Sequence, residues 1–184
     1  MAHLTTPDSV KSNTRPVSKN LDDSRIEIFI DEAEQLHVKP RIGDALFIDL
    51  LKWIEAEDKS GFPMEYEKLM SEGEYDGSNR SGCGTVSGPK TFKGLRLTLE
   101  YYVYAKLLKN NDTNVTRFGG NMQKFDDYSR HADLKITLAA EKDALSVADG
   151  YMADCLDFLM ASNIPLFSRP GGTRNRLKIT AIGD

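Results

Sequence analysis

The stretch nearest to a phosphate cradle is Gly84-Thr85-Val86-Ser87-Gly88-Pro89-Lys90-Thr91, which approaches the G-x-x-x-x-G-K-[ST] pattern whose backbone N–H groups hold anionic oxygens. Pro89 stands between glycine and lysine and removes a donor where the cradle needs one, and no apolar strand leads in. The stretch therefore reads as a linker into the next helix. His3, His37 and His131 lie in separate segments, and neither Cys83 nor Cys155 has a ligand-spaced neighbour, so no zinc pattern forms. A serine or Cys83 beside His37 or His131 would need tertiary geometry to act, and no G-x-S-x-G elbow is present. The pairs Asp22-Asp23 and Asp126-Asp127 could hold Mg²⁺, yet adjacent aspartates at turns serve chiefly as caps and solvated turn residues. No catalytic, cofactor or metal set is expected.

Two clusters could instead bind macromolecules. Tyr101, Tyr102 and Tyr104 are of a type that stacks on bases, but helical spacing points them to different faces, which suits core or subunit contact better. Arg169, Arg174, Arg176 and Lys178 form the densest positive charge, to be read as a solvated tail or as a dock for an acidic partner or DNA.

These groups must be placed by helices. Ile26, Phe29, Ile30, Ala33 and Leu36 lay an apolar stripe at three- and four-residue steps, which predicts a helix over 22–37 that Pro40 should prevent from continuing. Leu46, Leu50, Trp53 and Ile54 mark the inner side of a second helix over 42–54, and Pro63 suits the first turn of a short helix through Met70. Residues 71–91 are rich in glycine and serine and read as a mobile surface loop. A strong helix is expected over 92–109, a hairpin-like loop around Gly119-Gly120, and a long helix over 131–161 with a possible bend near Gly150. The N-terminal stretch 1–20 is polar and carries no apolar period, so it reads as an arm that orders only against something else. Past Pro165, Leu177, Ile179 and Ala181 alternate as in a short strand. The fold class expected is mainly α: a bundle of about four to five helices with a long C-terminal one, an extended N-terminal arm, a hairpin-like loop and a β-like tail. The domain scheme is an arm over 1–20, a single helical domain over 21–166 and a tail over 167–184.

Length and charge bound the function. With 184 residues, 24 Lys+Arg and 28 Asp+Glu, the net charge of −4 argues against a nucleic-acid binder that works by overall charge. No apolar run approaches the ~20 residues of a transmembrane helix, and the polar start lacks a signal-peptide core, so a cytoplasmic product is expected. Two cysteines without C-x-x-C spacing fit a reducing compartment, with a single Cys83–Cys155 bridge left open.

Three stretches, IEIFIDEAEQLHVKPRIGDALFIDLL, KGLRLTLEYYVYAKLLKNNDTNVTRFGG and ADGYMADCLDFLMASNIPLF, follow one another in an order that resembles the head-to-tail connector, or head-completion adaptor, proteins of tailed bacteriophages. The likeness is greatest to versions from phages and prophages of Bacteroidetes, including crAss-like phages, and its distinctive element is the Val-Thr-x-Phe-Gly turn of Val115, Thr116, Phe118 and Gly119. It implies a non-enzymatic virion protein at the head–tail junction that forms a cyclic ring, commonly a dodecamer. Its partners would be the portal, tail or further ring proteins, and DNA passing through the channel without sequence recognition. Membrane association is not implied. On this reading the segment over 115–128 and the tail over 167–184 are contact elements, with Val115, Arg117, Phe118, Gly119, Gly120, Phe125, Phe167, Arg174, Arg176, Leu177 and Ile179 as candidate contacts. The alternative is a small helical DNA-binding regulator whose recognition helix would be 42–54, where only Arg41 and Lys52 supply positive charge.

Overall fold

The computed structural model describes residues 2–17, 21–81, 84–110, 113–116, 119–122, 134–164 and 166–167, with the backbone alone at 78–81, 84–87, 113–116, 119–122 and 134–135. It is mainly helical, as the apolar periodicities require. At its centre lie helix α6 (Leu95–Asn110) and the long helix α7 (Leu134–Ser162). Their contacts step in opposite directions, Thr98 against Cys155, Tyr102 against Asp149 and Lys109 against Glu141, so the two run antiparallel. Leu95, Leu99, Tyr102 and Val103 of α6 and Ala148, Met152, Cys155 and Leu159 of α7 are buried in one core. Removing that much apolar surface from water is the main force holding the pair together.

Helix α2 (Asp23–Ala33) lies antiparallel to α6, tied by Lys106 to Glu32 at 2.8 Å and by Arg25 to the Asn110 carbonyl. Asp22 caps it by accepting the Ser24 N–H at 3.1 Å. Pro40 does not end this helix. A π turn over Glu34–Val38 follows α2 and leads into α3 (Lys39–Ile42), with the Lys39 N–H reaching five residues back to the Glu34 carbonyl. In a regular α-helix the Pro40 ring would meet the carbonyl four residues earlier; the wider π turn changes that spacing just before the proline. The stop comes at Gly43, whose φ of 89° is costly for any residue with a Cβ. Helix α4 (Asp44–Glu55) then buries Leu46, Phe47, Leu50 and Trp53, while Ile54 is only partly buried. Helix α5 (Glu65–Met70) follows, and its Tyr66 donates to Asp49 of α4 at 2.7 Å.

Two further expectations are corrected. The arm contains helix α1 (Pro7–Asn13), capped by the Thr6 hydroxyl, and Leu4 and Val10 are buried in the main core. What orders this segment is the chain itself. The Gly/Ser-rich stretch holds strands β1 (Gly73–Ser81) and β2 (Gly84–Phe92), paired antiparallel from Gly73 opposite Phe92 to Ser81 opposite Gly84. Its root is aromatic: Phe92 stacks on Phe158 of α7 at 4.5 Å between ring centroids and Tyr75 meets both rings edge-on, so three aromatics fix the hairpin to the helix. Gly94 closes the path into α6 with φ 84°, and a Cβ there would lie 2.4 Å from the Ser71 carbonyl oxygen. The expected hairpin near Gly119-Gly120 is present as β3 (Thr113–Thr116) against β4 (Gly119–Met122). Helix α7 runs without interruption through Gly150.

Candidate functional site

Polar side chains gather at three places on this scaffold. The first joins the N-terminal segment to the start of the π turn and to α6. Glu34, 2% exposed, accepts the Leu4 N–H at Oε1 (2.6 Å) and faces His3 Nδ1 from Oε2 (3.0 Å). Burial raises the Glu34 carboxyl above its ordinary range, against the lowering effect of His3 and the Leu4 N–H. Glu100, fully buried, accepts from Thr5 Oγ1 at 2.7 Å and from Ser9 Oγ at 2.5 Å, both at Oε1; its Oε2 has no hydrogen-bond partner among the described residues. His3, Asp31 and Glu34 bring one donor atom each within 4.8 Å of one another, beside a cavity of about 210 Å³ also lined by Phe47, Ile48 and Leu51. These three are the described residues best able to hold a cation. Both Glu34 oxygens, however, already serve the N-terminal segment, so its carboxylate acts here as an anchor.

The second place is the π turn. The His37 ring lies flat on Tyr102 at 4.4 Å with 5° between planes, and burial, aided by Lys106 and Arg41, depresses its basicity. Arg41 donates to the Tyr102 hydroxyl and to Asp149 Oδ1 (2.7 Å), and the Tyr102 hydroxyl donates to the same Oδ1 at 2.6 Å. These bonds brace the turn against α6 and α7. The order of Tyr102 in the sequence gave no sign of this, since Asp149 lies on another helix.

The third place is a cavity of about 430 Å³ beside Trp53. Lys59 Nζ sits 4.2 Å above the Trp53 ring, and Arg96, Phe62, Met64 and Glu67 complete most of the wall. Neither Lys59 nor Arg96 has an ion-pair partner among the described residues. Sequence reasoning missed this site, although the spacing of Trp53, Lys59 and Phe62 across a Gly/Pro turn was the available signal.

Of the expected contact residues, four fall within the described residues. Val115, Gly119 and Gly120 lie in the β3–β4 hairpin. Phe167 packs, partly buried, against the chain's own core rather than standing free. Arg117, Phe118, Phe125, Arg174, Arg176, Leu177 and Ile179 lie outside the described residues, as do Cys83, His131 and Asp126-Asp127. Of the three tyrosines, Tyr102 is a core group and Tyr101 meets Tyr151 edge-on at 5.7 Å. Cys155 is a free, buried thiol, pushed up to about 12 by burial. No described helix is long and apolar enough to cross a membrane.

Residues 38–176 match a family model described as a family of unknown function, DUF6712. That is most of the chain, which therefore belongs to this family. No curated protein and no solved structure matches it.

Proposed function

We propose that this member of the DUF6712 family is a structural virion protein, whose copies form a cyclic ring below the portal that joins capsid to tail and extends the DNA channel. The order of helices from Ile26 to Phe167 supports the reading, and one observation carries it: helix α4 separates two unlike surfaces. On one side Ile48 stands 49% exposed beside Asp31, Glu34 and Glu55; on the other lies the Trp53 cavity with Lys59 and Arg96. A closed ring built from one kind of subunit needs two different, complementary patches on each copy. A mild net charge of −4 also suits a channel that lets DNA slide, since a wall binding phosphate tightly would hold it.

The regulator alternative would place α4 in a DNA groove. That helix turns Asp44, Ile48, Lys52 and Glu55 outward, and Arg41 is held by Asp149, so little positive charge is left to meet phosphate. Mass photometry of the purified chain and cryo-EM of particles should find a closed ring at the head–tail junction. A chain that stays monomeric at micromolar concentration and has no place in particles would refute the connector reading, and specific retardation of DNA at low salt would favour the regulator.

A further inference from the structure

The Trp53 cavity combines an apolar floor with two cations that no described carboxylate neutralises. Met64 at its rim is 81% exposed, more than any other large apolar side chain described. Among the cavity's lining residues Glu67 is the one acid. A complement to the cavity must therefore offer carboxylates next to bulky apolar groups, the first for Lys59 and Arg96 and the second for Phe62 and Met64.

The chain itself encodes such a complement. Five runs place acids beside aromatics, and in Glu100-Tyr101-Tyr102 the acid and Tyr102 are fully buried. Tyr66 of Glu65-Tyr66-Glu67 is 1% exposed, Tyr75 of Glu74-Tyr75-Asp76 packs on Phe158, and Phe158 after Asp157 is 2% exposed. Each of these is consumed by the fold. The fifth, Phe125-Asp126-Asp127-Tyr128, has two adjacent carboxylates flanked by two aromatics, and it falls within the segment expected from sequence to make contacts.

We propose that the Trp53 cavity is the docking site for the Phe125–Tyr128 segment of a second copy, with Asp126 and Asp127 meeting Lys59 and Arg96 and an aromatic ring covering Phe62 and Met64. This rests on the ring reading and supplies its head-to-tail contact: cavity and segment are different surfaces, as a heterologous interface demands.

Trp53 is the sole tryptophan, so its emission reports on the cavity directly. A synthetic peptide of residues 121–131 titrated into the full chain should change that emission saturably. Its Asp126→Asn/Asp127→Asn form should bind about tenfold or more weakly. In the full chain, Lys59→Glu/Arg96→Glu should raise the concentration needed for assembly by a similar factor, and adding Asp126→Lys/Asp127→Lys should restore it. Circular dichroism checks that each variant folds, with Lys59→Ala/Arg96→Ala as the milder pair. If Lys59→Glu/Arg96→Glu rings form at the parental concentration, the docking proposal is wrong and the ring reading stands. If the peptide binds but no ring ever forms, the cavity's ligand class stands and both the ring reading and the second-copy assignment fall. An emission change caused by Asp126→Lys/Asp127→Lys at every dilution of a monomer would show the chain filling its own cavity, which also overturns the second-copy assignment.

Discussion

The two sides of helix α4 treat charge in opposite ways. Beside Phe47, Ile48 and Leu51, the acidic cavity is closed on one side by the chain's own Ala2 and His3, and the buried Glu34 spends both oxygens on that segment. Beside Trp53, the larger cavity keeps Lys59 and Arg96 without carboxylate partners among the described residues. The difference follows from burial. A carboxylate as deep as Glu34 must be answered from within the fold, because almost none of its surface meets water, whereas exposed ammonium and guanidinium groups are solvated at little cost. One side is therefore a finished internal contact and the other an open, solvated one.

The comparison depends on α4 holding both walls, so truncating its centre should have the largest effect. Leu50 is fully buried, and Leu50→Ala should cost about 2–5 kcal/mol through lost burial and the cavity left behind. Urea titration should show Trp53 emission and helical circular dichroism lost together at a lower midpoint. A cost under about 1 kcal/mol would mean that α4 is not the shared support. Next in size is the anchor. Glu34→Ala leaves the Leu4 N–H buried without an acceptor and should cost about 1–3 kcal/mol, while Glu67→Ala in the open cavity should stay within about 0.5 kcal/mol. Equal losses at the two sites would erase the distinction between them.

Acidity sharpens the same contrast. Because burial holds the Glu34 carboxyl above its ordinary value of 4.5, the folded chain binds this proton more tightly than the unfolded chain. Folding stability from this group is thus highest when the carboxyl is protonated and falls as pH rises from about 4.5 through the raised folded value. Glu34→Gln keeps an acceptor for Leu4 but cannot titrate. The thermal midpoint of the parent, measured against that variant, should decline across this window; a rising difference would mean that the His3 pairing outweighs desolvation.

Much of the helical scaffold was legible because each helix carries its own three- and four-residue stripe, as Ile26, Phe29, Ile30 and Ala33 do. The errors have local causes. The β1–β2 hairpin hides in a glycine-rich sequence because its attachment rests on Tyr75 and Phe92, whose partner Phe158 is remote in the chain. Helix α1 is short, but Thr6-Pro7 is a cap followed by a first-turn proline, with Leu4 and Val10 as its apolar contacts, a signal that overall polarity masked. Pro40 was read as a stop because periodicity cannot show that the preceding turn widens to a π turn. The site was less legible than the fold. Glu34 and Glu100 look like ordinary surface acids in sequence, and only the docking of residues 3–9 buries them. The Trp53 cavity depends on Arg96 reaching it from another element, which no local spacing encodes.

The smallest expected effect lies in the open cavity itself. Lys59 Nζ stands over the Trp53 ring at 4.2 Å, close enough for the ammonium to feel the negative face of the indole. The residue is exposed, so water competes for that charge, and the contact should contribute only about 0.5–1 kcal/mol. Lys59→Ala should therefore lower the unfolding free energy by no more than that, while Trp53 emission shifts to longer wavelength as solvent reaches the uncovered ring face. Lys59→Arg, which keeps a cation that can lie over an indole, should leave both nearly unchanged. A loss above about 2 kcal/mol for Lys59→Ala would mean that the lysine is desolvated and held as Glu34 is held. The two sides of α4 would then be alike, and the Trp53 cavity would already be closed by the chain that forms it.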